Sequence, residues 1–323
     1  MNISPNGINI NEALEALAAC TVCYPEYLEA MRLISKCFIA TRNRKDPSSA
    51  MLIGPTGVGK TRLCHMIEKQ LGPITITRRP ECVKEIRPCV YIELPESATI
   101  RSLSMVMART LNESPYDRQS ITTLETLIIE RLITMEVQLV ILDDFHHIAE
   151  KGRSITKSSL CNWLMKLLNN SGIPFLVSGS PQAEKLINQV QELSDRFPYR
   201  ANLKPLPLAE EQPTSVLLGV IAGLQQEMIR LGKLTKYPHL SDPNHYKAVY
   251  MATQGNFRRL SNLLHDTFSI ALTRGDHTLS IDDFSRAADD LSFCCNPNYF
   301  RMPPKQLNNA IKAKINRSSE TTR

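Results

Sequence analysis

Apolar positions along the chain follow two patterns. Between residues 50 and 177, short continuous apolar runs recur at Ala50–Ile53, Val90–Leu94, Gln138–Leu142 and Pro174–Val177. Stretches with helical spacing separate them, at Lys60–Leu71, Ile100–Leu111, Leu124–Met135 and Ser158–Leu168. Strands apolar on both faces and alternating with helices predict a parallel sheet covered on both sides. Ile74–Thr77 is also β-rich, and Arg78, Arg79, Lys84 and Arg87 lie between it and Val90. That stretch reads as a hairpin or an extended loop feeding a core strand.

The ends of the chain differ from this alternating middle. Asn11–Ala19 reads as a short helix, and Glu26–Arg42 as a longer one with Leu28, Met31, Ile34, Phe38 and Ile39 at helical spacing. A polar, proline-containing link, Asn43–Ser49, follows. After Leu208 the strand signals fade, and helical runs fill Glu210–Leu231, His245–Met251, Phe257–Leu272 and Ile281–Leu291. The expected organisation is an N-terminal helical segment (1–42), an α/β domain (43–207), a small helical domain (208–296) and a C-terminal tail (297–323).

Composition narrows the class without naming a function. Of 323 residues, 42% are hydrophobic and 22% charged, which fits a globular chain and not a disordered one. No run approaches the 18 apolar residues of a membrane-spanning helix, and the N-terminus lacks a basic region followed by an apolar one. The expectation is a cytoplasmic protein. Nine cysteines with one C-x-x-C, Cys20–Cys23, and no second pair or nearby histidines to complete a zinc site are expected as buried thiols. The net charge of +6 is uneven. Arg301, Lys305, Lys312, Lys314, Arg317 and Arg323 face only Glu320 in the tail, leaving the rest of the chain nearly neutral. Such a tail is either a solvated terminus or a contact for nucleic acid or an acidic partner.

The chemistry is concentrated in a few motifs. Gly54-Pro55-Thr56-Gly57-Val58-Gly59-Lys60-Thr61 follows an apolar strand and opens a helix. In that context the loop's backbone N–H groups and the helix N-terminus cradle phosphates. Lys60 reaches the β- and γ-phosphates, and the Thr61 hydroxyl ligates Mg²⁺. Val140–Asp144 supplies the matching acid, with Asp143 at a strand end where it holds a metal-bound water. Asp144 takes the place of the water-polarising acid but is one methylene shorter than the usual Glu. A misplacement on the order of 1 Å can cost ~100-fold in rate, so slow hydrolysis is expected.

Three weaker constellations follow in order. The strand ending in Val177-Ser178-Gly179-Ser180 offers Ser180, or else Ser178, as a γ-phosphate sensor. Leu193–Phe197 sets Arg196 before an aromatic anchor, with Arg200 shortly after. Gly255-Asn256-Phe257-Arg258-Arg259 opens a helix in the second domain.

In this order these residues resemble the AAA+ ATPases, and within them the TnsC/TniB group of transposition regulators. The long interval from Lys60 to Asp143, the short helical N-terminus and the basic tail point to that group. The resemblance implies a P-loop ATPase core with a helical lid, ATP and Mg²⁺ as cofactors, and assembly of rings or helical filaments on duplex DNA. It further implies transposase subunits and a target-selection protein of the TniQ type as partners. Arg196 becomes a finger acting in trans, and Arg258 a second sensor.

Arg78, Arg79, Lys84, Arg87, Arg101, Lys151, Arg153 and Lys157 lie in loops or near strand ends and are candidate phosphate contacts, each of which is otherwise a solvated charge. Two other functions share parts of this pattern. A replication initiator or helicase loader has the same core, but no winged-helix pattern is visible after residue 208. A monomeric P-loop kinase has no use for a trans-acting arginine.

Overall fold

The computed structural model describes residues 4–320 except 6, 45–46, 80–81, 96–98, 116–117, 146, 148–156, 209–214 and 295–296. The chain divides into two compact units, one formed by Glu26–Lys204 and the other by Met1–Pro25 together with Pro205–Arg323. The first 25 residues, read in sequence with the helix that follows them, thus group with the C-terminal region.

In the first unit, β1 (Ala50–Ile53), β4 (Cys89–Glu93), β5 (Leu139–Asp143), β6 (Phe175–Gly179) and β7 (Tyr199–Asn202) form a parallel sheet in the order β4-β5-β6-β1-β7. Every residue of β1, β5 and β6 is buried, as expected of inner strands covered on both faces. Alternation along the strands sorts the core. Met51, Ile53, Val90, Ile92, Val140, Leu142, Phe175 and Val177 pack into one cluster with residues from α4 (Ile100–Thr110), α5 (Ile121–Thr134), α6 (Lys157–Ser171), α7 (Pro181–Ile187) and α8 (Gln191–Asp195). Tyr91, Asp143 and Ser178 have the opposite parity, and α3 (Lys60–Leu71) packs on β4, β5 and β6.

Helix α2 (Pro25–Arg44) buries Tyr27, Ala30, Ile34, Cys37 and Thr41 along one stripe. The Thr41 hydroxyl donates to the Cys37 carbonyl (2.9 Å) and accepts the Ser48 N–H (3.0 Å), fixing the entry to β1. The arginine-rich stretch after α3 is an antiparallel hairpin, β2 (Thr75–Arg79) with β3 (Cys82–Ile86), so the hairpin alternative holds and contains a strand the apolar pattern did not mark.

In the second unit, α1 (Ile10–Ala19) is capped by the Asn9 side chain and packs on α9 (Val216–Gly232) and α11 (Phe257–Arg274). Between these come α10 (Pro243–Thr253), and after them α12 (Ile281–Asp290), whose Ser280–Asp283 capping box satisfies two N-terminal donors. The basic tail carries regular secondary structure. A 3₁₀ turn at Tyr299–Arg301 leads to α13 (Pro304–Glu320), and Leu307 and Ile311, four residues apart, bury against Ala248 and Met251 of α10.

The cysteines whose side chains are described are all free, and Cys37, Cys64, Cys89, Cys161 and Cys294 are buried. Among the described residues no helix is long and apolar enough to cross a membrane, and no cluster of three or more His, Cys, Asp or Glu is placed to hold a metal.

Candidate nucleotide-binding site

The loop Gly54–Gly59 leaves the central strand β1 and ends as the N-terminus of α3. Its first residue is fixed by the Gly54 N–H bonding to the Gly179 carbonyl (3.1 Å), which places the loop beside the end of β6. A Cβ at Gly54 would lie 2.3 Å from the Leu203 carbonyl oxygen, so only glycine fits between β1 and the segment after β7. Gly59 precedes α3 in the left-handed region (φ 97°), a conformation that glycine adopts without a steric penalty. Val58 anchors the loop in the core, while Pro55 and Thr56 face solvent. Lys60 is buried, and its Nζ donates to the carbonyls of Gly54 (2.9 Å) and Pro55 (3.0 Å), so the ammonium sits over the loop it is expected to serve.

The acid is fully buried. Asp143 Oδ2 accepts the Thr61 hydroxyl (2.7 Å) and the Tyr91 hydroxyl (3.0 Å), and Oδ1 accepts the Asp144 N–H (2.9 Å). A hydroxyl and a carboxylate brought together at a helix N-terminus are hard oxygen ligands of the kind Mg²⁺ uses alongside phosphate and water, so the residues present fit a Mg²⁺–nucleotide. Burial, and then the Asp143 charge, push the Tyr91 phenol up, keeping it a donor. Burial also raises the Cys64 thiol on α3, reinforced by Asp143.

Asp144 is half-buried and takes a left-handed backbone (φ 53°), which Asp and Asn adopt more readily than other side chains bearing a Cβ. Its carbonyl accepts the His147 N–H (3.0 Å), and the next residue, Phe145, is buried and bonds through its N–H to the Ser178 carbonyl. Ser178 and Ser180 differ sharply. Ser178 is buried inside β6, whereas Ser180 stands at the strand's end beside the loop, with its hydroxyl on Gln182 (2.6 Å).

Arg196 follows α8, and its carbonyl accepts the Ser49 N–H (2.7 Å) at the start of β1. Arg200 is held by Glu184, Ser194 and the Phe197 carbonyl. In the helical unit, Asn256 caps α11, Arg258 is exposed in its first turn, and the Arg259 guanidinium lies 5.5 Å from the Phe293 ring centre.

The basic candidates separate in the same way. Arg78 is exposed on the hairpin, and Lys84 is exposed but paired with Glu136. Arg87 is turned inward, bonded to Glu85 and to the Thr110 carbonyl, so its guanidinium is engaged within the fold and not offered to a phosphate. Arg101 is half-buried in the first turn of α4. Lys151 and Arg153 lie outside the described residues, as do the side chains of Arg79 and Lys157. The sequence reading missed Tyr91 and His65, whose rings stack at 4.4 Å beside Asp143.

A phosphate loop after β1, a buried acid ending β5 and a strand inserted between the two define a P-loop ATPase core of the AAA+ class. Solved structures with the same fold include the Orc1 protein of Aeropyrum pernix in complex with DNA, at 14% identity and TM-score 0.56 over 82% of this chain and 65% of that one. Cdc6p of Pyrobaculum aerophilum is similar at 14% identity and TM-score 0.57, over 84% of this chain and 68% of that one. Drosophila ORC bound to DNA is similar at 13% identity and TM-score 0.50, over 89% and 67%. This chain therefore spans about two thirds of the length of these proteins. No curated protein matches it in sequence. The pattern of the bacterial TniB proteins matches residues 18–204, more than half of the chain, and the protein belongs to that family.

Proposed function

We propose that the protein is an ATP-dependent regulator of DNA transposition that oligomerises on duplex DNA and links a target-selection protein of the TniQ type to the transposase. The observation that carries this reading is the TniB match across the ATPase unit. In this reading Lys60 and the loop N–H groups hold the ATP phosphates, Thr61 and Asp143 hold Mg²⁺, and Asp144 polarises the attacking water. Ser180 senses the γ-phosphate, Arg196 completes a neighbour's site, and Arg258 serves as the second sensor. Arg78, Lys84 and Arg101 are the described candidates for phosphate contact on DNA.

Negative-stain imaging of the protein with ATP, Mg²⁺ and duplex DNA tests the reading. Rings or filaments that require both ATP and DNA are expected, and Lys60→Ala is expected to abolish them. Compact monomers with phosphotransfer activity would replace the reading by a kinase. A second reading, a replication initiator or helicase loader, draws on the fold shared with Orc1 and Cdc6p. It predicts strong preference for one DNA sequence, whereas a platform serving a separate target selector binds sequences alike.

A further inference from the structure

We propose that Tyr91 is a positioning residue for the metal-binding acid: its hydroxyl orients the Asp143 carboxylate toward Thr61, and the His65 ring holds Tyr91 in place. This rests on the reading of the site as a Mg²⁺–nucleotide site. A carboxylate's terminal torsion is soft and broad, so its donors, more than its rotamer, set where the oxygens point.

Asp143 has three described donors. The Asp144 N–H belongs to the adjacent residue, and Thr61 comes from the phosphate-loop helix. Only Tyr91 reaches it from outside these motifs, on Oδ2, the oxygen that also faces Thr61.

Strand register explains why a tyrosine does this. Glu93 lies opposite Asp143 in the β4–β5 ladder, and Tyr91, opposite Ile141, is two positions earlier on the same face. With strands about 4.8 Å apart and two residues rising about 6.6 Å, a diagonal neighbour of this kind is about 8 Å away, a gap that a phenol spans and a short hydroxyl side chain does not. The Tyr91 ring in turn stacks on His65 of α3 (4.4 Å between centres, 38° between planes), and His65 Nδ1 meets Glu68 one turn further on (3.1 Å). His65 lies one turn beyond Thr61. The ring pair therefore ties the acid to the same helix that carries Lys60 and Thr61.

The test is binding of a fluorescent methylanthraniloyl ATP by the full chain, titrated with Mg²⁺ and repeated in EDTA. Tyr91→Phe is expected to raise the Mg²⁺ concentration for half-maximal tightening about 10-fold, the usual effect of losing a partner behind a metal ligand. Affinity in EDTA should stay within about twofold of wild type, since the phosphate loop is untouched. His65→Ala should move the Mg²⁺ curve in the same direction by a smaller factor, and His65→Phe, which keeps a ring, should rescue it.

A Tyr91→Phe curve that superimposes on wild type overturns the proposal. So does an equal loss of affinity with and without Mg²⁺, which a merely structural role would give. If Tyr91→Phe melts well below wild type, the His65→Ala and His65→Phe pair decides by the same criteria. Wild-type protein that binds no nucleotide at all would instead overturn the nucleotide reading and this assignment with it.

Discussion

At the scale of single residues, Asp144 shows how backbone and chemistry constrain one another. The sequence presents it as a shortened form of the water-polarising glutamate, and the structure adds a left-handed backbone at that position. Asp and Asn tolerate this conformation because a short polar side chain bonds locally, and Glu does not share the advantage. Asp144→Asn should therefore keep the fold and nucleotide-dependent assembly while lowering hydrolysis by about 100-fold or more, the usual worth of a catalytic base. Asp144→Glu should raise turnover by advancing the carboxylate, at a cost of about 1 kcal/mol in stability from the left-handed backbone. Steady-state phosphate release with DNA and Mg²⁺, set beside denaturant melts of the three proteins, checks both. Turnover of Asp144→Asn at the wild-type rate would show that Asp144 is only a turn residue.

Among the elements, the junction of α11 and α12 is held by one guanidinium. Arg274 bonds to Asp283, which sits almost fully buried in the capping box of α12, and also to Asp276 (2.7 Å) and the Thr278 carbonyl (2.7 Å). The Arg274 hydrogen bond, and then those from Thr278, hold the Asp276 carboxyl down at about 2 from its ordinary 3.8. A depressed folded-state value means that the contribution is fully present above about pH 4 and disappears as pH falls toward 2. The melting-temperature gap between wild type and Asp276→Asn should therefore be constant from pH 7 to 5 and close between pH 4 and 2. A gap that does not change with pH would remove the ion pair from the account.

Elements of this kind also mark what the sequence made legible. The phosphate loop, Asp143 and the buried strands stood out because few structures other than a covered parallel sheet and a phosphate cradle produce such continuous apolar runs and such glycine spacing. Strand β7, Tyr-Arg-Ala-Asn, did not stand out, because an edge strand paired only with β1 needs no continuous apolar run. Strand β3 was hidden because its hairpin pairs with β2 alone. Helix α13 reads as a charged tail because only two of its described side chains, Leu307 and Ile311, are buried apolar ones. Tyr91 passed as an ordinary strand residue, since its bond to Asp143 depends on strand register and not on any local pattern.

For the molecule as a whole, the decisive question is whether the site is complete in one copy. Ser49, which bonds the Arg196 carbonyl, precedes β1, and the phosphate loop begins at Gly54 after it. At about 3.3 Å per residue, the strand separates these two points by roughly 16 Å. That span exceeds the length of an arginine side chain, which argues against Arg196 serving the loop of its own chain and agrees with the proposed role in a neighbour's site. A cation offered in this way neutralises transition-state charge and is worth on the order of 10³-fold or more in phosphoryl transfer. Arg196→Ala alone should therefore bind ATP like wild type and hydrolyse it poorly, whereas Lys60→Ala should lose binding. Mixed, the two inactive proteins should recover part of the DNA-stimulated ATPase. A Lys60→Ala protomer still carries Arg196 and completes the intact phosphate loop of an adjacent Arg196→Ala protomer. Recovery should peak near equal proportions and vanish on dilution below the concentration that supports assembly. Activity that stays at the level of the separate variants at every ratio would place Arg196 in its own chain's site, and the assembly reading would lose its chemical motive.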